Sequence, residues 1–164
     1  MQDFKIISGG QVGVDRFALD WAIKHNVPHG GWCPKGRRSE DGVIPTCYNL
    51  QETASQSYKT RTRQNVSSSD GTLILTPSRE LTGGSLLTRN YCIKLARPYL
   101  HLCPGDHWRD QIELFIKNNW IEVLNIAGPR EAADIEQFVY NVLDAVEYAF
   151  AGAVPLNDHA KTCQ

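Results

Sequence analysis

The chain has 164 residues, 41% of them hydrophobic and 21% charged, a length and balance suited to one globular domain with a sizeable core and not to a disordered chain. Lysine plus arginine number 17 against 18 acidic residues. That balance supplies no global charge for a nucleic-acid backbone or an anionic membrane, so any anion site must be local.

Cys33, Cys47, Cys92, Cys103 and Cys163 are widely spaced and form no Cys-x-x-Cys pair. They read as reduced thiols of a cytoplasmic protein, not as disulfides or a structural metal site. No signal-peptide pattern opens the chain and no window approaches a membrane span.

Residues 4–8 predict a short buried strand that runs into the glycine loop SGGQVGVD. Val14, Phe17, Ala18, Trp21 and Ala22 then recur at helical spacing. Residues 28–33 predict a second strand, followed by the turn-rich segment CPKGRRSEDGVIP. A polar helix is expected over 53–69 with a thin stripe of Ala54, Tyr58 and Val66, and the run GTLILT predicts a central strand covered on both faces.

A second glycine turn, LTGGS, leads into a helix bearing Leu87, Tyr91, Cys92 and Leu95 that Pro98 ends. The strand PYLHLC, a helix marked by Trp108, Ile112, Phe115 and Ile116, and the strand IEVLNIA come next. Gly128 and Pro129 then suit the start of the last helix, whose stripe runs from Ile135 to Val146. The alternation implies a three-layer, doubly wound, Rossmann-like parallel sheet with helices on both faces. Residues 1–150 form the expected domain and 151–164 a mobile tail.

Ligands of such sheets sit beyond the carboxyl ends of the strands, where all three turns fall. In the first turn, Ser8, Gly9, Gly10, Gln11 and Gly13 either turn the chain or let its amides approach an anion at a helix start. Gly83, Gly84 and Ser85 repeat the pattern, and the pair favours anion binding. The spacing matches neither GxGxxG nor GxxxxGK[ST], which argues against NAD and Walker-type ATP chemistry.

Asp15 reads either as a partner of the helix dipole or as a ligand for a ribose-like hydroxyl, and Arg16 as a phosphate clamp. Lys35, Arg37 and Arg38 make either a solvated loop or a cationic flap beside Trp32, a surface on which a flat ring could stack. Arg61, Arg63, Asn65, Arg130 and Glu131 read mostly as surface groups. His101, Cys103 and His107 are neighbours in sequence without metal-ligand spacing, so no metal site is expected.

The segments SGGQVGVDRFALDWA, HGGWCPKGRRSEDG, SDGTLIL, LTGGS and LNIAGPRE together resemble the putative molybdenum carrier family, related to YpsA within the SLOG superfamily of Rossmann-like ligand binders. The resemblance implies a homo-oligomer that holds a nucleotide-like ligand or the molybdenum cofactor (molybdopterin), a pterin with a phosphate. Carried over by position, its binding residues are Gly9, Gly10, Gln11, Gly13, Asp15, Arg16, Gly83, Gly84 and Ser85.

Two departures stand out. Val12 replaces a threonine usual in the first motif. Asn90 falls where related nucleotide hydrolases carry a glutamate, and an amide cannot act as a carboxylate acid or base. The leading expectation is therefore a carrier. N-glycosidic hydrolysis, with Asp15 or Glu40 replacing the acid, and nucleotide sensing are the alternatives.

Overall fold

A computed structural model of the chain describes residues 4–152. Strands β1 (Lys5–Ile7), β2 (His29–Gly30), β7 (Gly71–Leu75), β8 (Tyr99–Leu102) and β9 (Val123–Ala127) form one sheet in the order β2-β1-β9-β7-β8, with every pair parallel. Between β2 and β7 lie four two-residue strands: β3 (Trp32–Cys33) pairs parallel with β6 (Gln51–Glu52), and β4 (Arg38–Ser39) pairs antiparallel with β5 (Gly42–Val43).

Helices α1 (Val14–Lys24), α4 (Trp108–Asn118) and α5 (Glu136–Gly152) pack together on one face, while α2 (Tyr58–Ser67) and α3 (Gly83–Lys94) pack together on the other. Crossovers toward the β2 edge use the first face and those toward the β8 edge use the second, as a single crossover handedness requires. This is the Rossmann-like α/β arrangement that the alternation of elements implies.

The two faces differ in chemistry. Ile6, Leu73, Leu75, Leu124 and Ile126 join the large core beneath α1, α4 and α5. The alternate residues Ile7, Thr72, Ile74 and Asn125 turn the other way, and there the Asn125 amide donates to Thr72 at 3.2 Å. A partly polar sheet face does not demand an apolar helix, so α2 can cover it while burying Thr62, Asn65 and Val66.

Three boundaries differ from the expected ones. Gly31, at φ +129° and too close to the Ser8 carbonyl for any side chain, breaks the second strand in two. Helix α2 starts later, where the Ser57 hydroxyl caps the Lys59 amide at 3.3 Å. Gly128 and Pro129 do not start α5. A Cβ on Gly128 would stand 2.4 Å from the Leu75 carbonyl, and Pro129 accepts the Val14 amide, so both serve a close-packed loop. A short 3-10 turn, Ala133–Ile135, then leads into α5. Helix α5 includes residues 151 and 152, and the remainder of the expected tail lies outside the described residues.

Among the described residues no helix is long and apolar enough to cross a membrane. Cys33, Cys47, Cys92 and Cys103 are free thiols, and no group of three or more His, Cys, Asp or Glu side chains among the described residues is gathered to hold a metal ion.

Candidate functional site

A cavity of about 550 Å³ opens at the carboxyl edge of the sheet, bounded by the turns after β1, β7 and β9. Its size suits a small organic ligand. Gln11 and Asp15 come from the β1–α1 junction, Glu40 from the β4–β5 hairpin, and Tyr58, Arg61 and Thr62 from α2. Thr76, Pro77 and Ser78 follow β7, the start of α3 supplies Thr82, Gly83, Gly84 and Ser85, and residues 127–131 comprise the last residue of β9 and the turn after it.

The start of α3 is open. Thr82 sits at the N-cap without a side-chain hydrogen bond to the first turn, so orphan amides and the positive end of the helix dipole face outward. A Cβ on Gly83 or Gly84 would meet nothing within 4 Å. Ser85 and Thr88 are buried behind them, with the Thr88 hydroxyl donating to the Gly84 carbonyl at 2.9 Å.

Arg61 is the principal cation of the wall. Its side chain is 14% exposed, and it pairs with the 6%-exposed Asp15 at 3.0 Å. Its Nε–H is buried without a hydrogen-bond partner. Burial pushes the Asp15 carboxyl up, while Arg61 and the Gln11 amide pull it back down. Asp15 thus fixes one end of the guanidinium, while its Nε–H stays without a partner.

Gln11 is 1% exposed. Its Nε2 donates to the Arg38 carbonyl at 3.0 Å, and its Oε1 has no partner. Tyr58 lies under two guanidinium groups, Arg130 at 4.2 Å and Arg38 at 4.8 Å from the ring centre. Arg130 also pairs with Glu40, which ties the hairpin to the loop after β9.

Other residues singled out by the sequence lie outside the cavity wall. The Ser8 hydroxyl donates to the Ile126 carbonyl at 2.7 Å. The space beside Gly9 is filled by the Arg61 guanidinium, that beside Gly10 by Leu50, and that beside Gly13 by the Pro129 and Arg130 carbonyls. Arg16 grips Asp41 with two hydrogen bonds, 2.5 and 2.8 Å long, and also reaches Ser39 and the Gly10 carbonyl.

Arg37 donates to four carbonyls, those of Ile44, Pro45, Tyr48 and Leu50. Its guanidinium therefore braces the loop. Lys35 is exposed, and Arg38 reaches the Gln56 carbonyl. The hairpin does overhang the cavity, through Glu40 and not through its cations. Trp32 is held by Asn65, which exchanges two hydrogen bonds with the Trp32 peptide, and by Ser68. Asn90 is exposed on α3 and absent from the wall.

Sequence reasoning missed Tyr58 as wall and set Arg61 among surface charges. A usable signal existed: a helix with almost no apolar stripe, placed between two sheet strands, needs a polar surface to cover. Thr76 also escaped notice. Its hydroxyl donates to the Ser78 carbonyl at 2.6 Å and lies 2.6 Å from His101 Nε2. With its proton directed to Ser78, Thr76 accepts from His101, which leaves the imidazole in no position to activate it.

A parallel α/β sheet with a cavity at its carboxyl edge defines a Rossmann-like protein. The chain belongs to the circularly permutated YpsA SLOG family, whose model matches residues 6–147. Among solved structures it is similar to a "putative molybdenum carrier protein" from Syntrophus aciditrophicus, with 44% identity over 87% of this chain and 93% of that one and a TM-score of 0.80. No curated protein matches the sequence.

Proposed function

We propose that the protein is a binding or carrier protein that holds a phosphorylated pterin, such as the molybdenum cofactor, or a nucleotide-like small molecule in this cavity. One observation carries the reading: the uncapped start of α3, with open space at Gly83 and Gly84, shares a cavity with the Arg61 side chain. Amides at a helix start and a guanidinium together suit a phosphate. The similar protein from Syntrophus aciditrophicus supports the carrier role.

With no metal-ligating cluster among the described residues, the protein's contacts in this reading are to the organic part and phosphate of the cofactor. The protein itself is taken to be cytoplasmic and homo-oligomeric. Tyr148 at 79% exposure and Leu114 at 58% support a self-association surface on α4 and α5.

The test is calorimetric titration with a pterin monophosphate and with AMP, each beside its dephosphorylated counterpart. The phosphorylated member of a pair should bind at least about tenfold tighter, since hydrogen bonds to a charged group contribute roughly 1.5–3 kcal/mol. Equal binding of both members would remove the phosphate reading. Release of free base from AMP would replace the carrier with a hydrolase.

A further inference from the structure

Arg130 stands in the cavity wall as a cation already answered from within the protein. Its guanidinium pairs with the carboxylate of Glu40, at the tip of the β4–β5 hairpin, and both residues line the cavity. A carboxylate there repels an entering anion and occupies a cation that could bind it.

The two partners are held unequally. Arg130 keeps its place without Glu40: its own carbonyl and that of Pro129 pack against Gly13, Pro129 accepts the Val14 amide, and the guanidinium lies over the Tyr58 ring at 4.2 Å. The Glu40 side chain is 52% exposed, and Arg130 is its one hydrogen-bonding partner among the described residues. Half in water, the carboxylate loses little on release, because partly exposed ion pairs are weak. The hairpin need not lift for this, since Asp41 keeps its separate clasp on Arg16.

The charge around Tyr58 leads the same way. The Arg38 guanidinium lies 4.8 Å from the centre of the same ring, so two cations stand there against one carboxylate. A phosphate monoester, with close to two negative charges at neutral pH, matches that pair better than Glu40 does.

We infer that Arg130 is a specificity-determining residue of the cavity and Glu40 its internal competitor: an anionic group of the occupant takes the guanidinium from Glu40, whose side chain turns to water while Arg130 stays stacked on Tyr58. This rests on the proposed binding of a phosphorylated ligand, and it adds a cation that takes the ligand's charge and the group that must leave first. Ligands without the anion leave the Glu40–Arg130 pair closed.

The probes are AMP and a pterin monophosphate, each beside its dephosphorylated counterpart, titrated into the wild type, Glu40→Gln, Arg130→Gln and the double variant. Neither side chain belongs to the apolar core, so the fold should persist, and thermal unfolding checks it. Glu40→Gln should bind the phosphorylated probes about fivefold tighter, the size expected when a partly exposed ion pair stops competing, and the dephosphorylated ones no differently. Arg130→Gln should bind the phosphorylated probes about tenfold more weakly. Adding Glu40→Gln to Arg130→Gln should then change affinity by less than about twofold, because the competition runs through Arg130.

A gain from Glu40→Gln that persists without Arg130 would mean that Glu40 repels the ligand through space and would overturn the inference. Unchanged binding in Glu40→Gln or in Arg130→Gln overturns it as well, and in each of these cases a wild-type preference for the phosphorylated probes leaves the phosphate reading intact. Equal binding of phosphorylated and dephosphorylated probes by both wild type and Glu40→Gln, or binding of none, removes both.

Discussion

The two glycine turns look interchangeable in sequence and are opposite in structure. At the β1–α1 junction every glycine has protein where a side chain would be: Arg61 at Gly9, Leu50 at Gly10, and the Pro129 and Arg130 carbonyls at Gly13. At the β7–α3 junction Gly83 and Gly84 face open space. The first turn is glycine-rich so that the chain can pack on itself, whereas glycine at the second leaves the start of α3 open. In the proposed reading, the glycine turn that serves the ligand is the one whose missing side chains leave a void.

That contrast can be tested hardest at Gly13. Its φ of +89° disfavours any side chain, and a Cβ would lie 2.4 Å from two backbone carbonyls that cannot move without moving the loop after β9. Gly13→Ala should cost about 4 kcal/mol, the range reserved for backbone strain combined with a clash. Urea unfolding measures it, and a loss below about 1 kcal/mol would show that the junction is looser than described.

Arg61 comes next, because its guanidinium packs against the first turn at Gly9 and Asp15 while its side chain lines the cavity. Replacing it with Gln leaves the Asp15 carboxylate buried without its partner, at a cost of about 3 kcal/mol near neutral pH. The pH dependence has a definite sign. Burial already raises Asp15 in the folded protein, and removing Arg61 raises it further. The protonated carboxyl is then favoured by folding, so its contribution is present below the unfolded value and is lost as pH rises through the folded one. The deficit of Arg61→Gln relative to wild type should therefore shrink as pH falls toward about 4. A deficit independent of pH would mean that Asp15 is not the group left exposed to burial.

Arg61 also marks where the sequence stops being legible. The order of strands and helices can be read because the sheet core is apolar at the right periods, from GTLILT to the α5 stripe. The position of α2 follows from the same reading. The role of its side chains does not: Arg61 is buried by a carboxylate 46 positions earlier, and such a distant pairing has no local signature. Arg37 shows the converse error. Three cations in four residues suggest a ligand clamp, yet Arg37 is used up by four carbonyls of its own loop. Gly128 and Pro129 look like a helix start because their residue types suit one, and they are claimed instead by contacts with Leu75 and Val14. In the sheet, β1 lies directly beside β9, so the first and last strands meet. This geometry lets a sheet be opened elsewhere in the chain without loss of its core.

The hairpin above the first turn gives a milder test. Asp41 is held at about 2 by Arg16, whose hydrogen bond is the largest influence, with Ser39 assisting. A carboxyl lowered by folding contributes above its unfolded value, and that contribution disappears as pH falls through the folded one. Hydrogen exchange in residues 38–43 should accelerate between about pH 4 and about pH 2, ahead of exchange in β7. Asp41→Asn should show the fast exchange already at neutral pH. Uniform acceleration of hairpin and β7 together would mean that acid unfolds the whole sheet and that the Arg16–Asp41 clasp has no separate role.

The smallest effect on stability is expected at Gly84, and it separates the two turns most cleanly. A methyl group there meets nothing within 4 Å and lies in the first turn of a helix, where alanine restricts the unfolded chain more than glycine does. Gly84→Ala should change stability by no more than about 0.5–1 kcal/mol, in the stabilising direction. Gly84 also lines the cavity, so in the proposed reading a methyl there crowds a phosphate at the α3 amides, and binding of a phosphorylated ligand should weaken by about tenfold or more, the loss of one charge-assisted hydrogen bond. Unfolding and titration on one preparation decide the matter. A stable variant with weakened binding assigns this turn to the ligand, whereas a stable variant with unchanged binding would leave the void at α3 without an occupant and return the anion site to the crowded junction at Gly13.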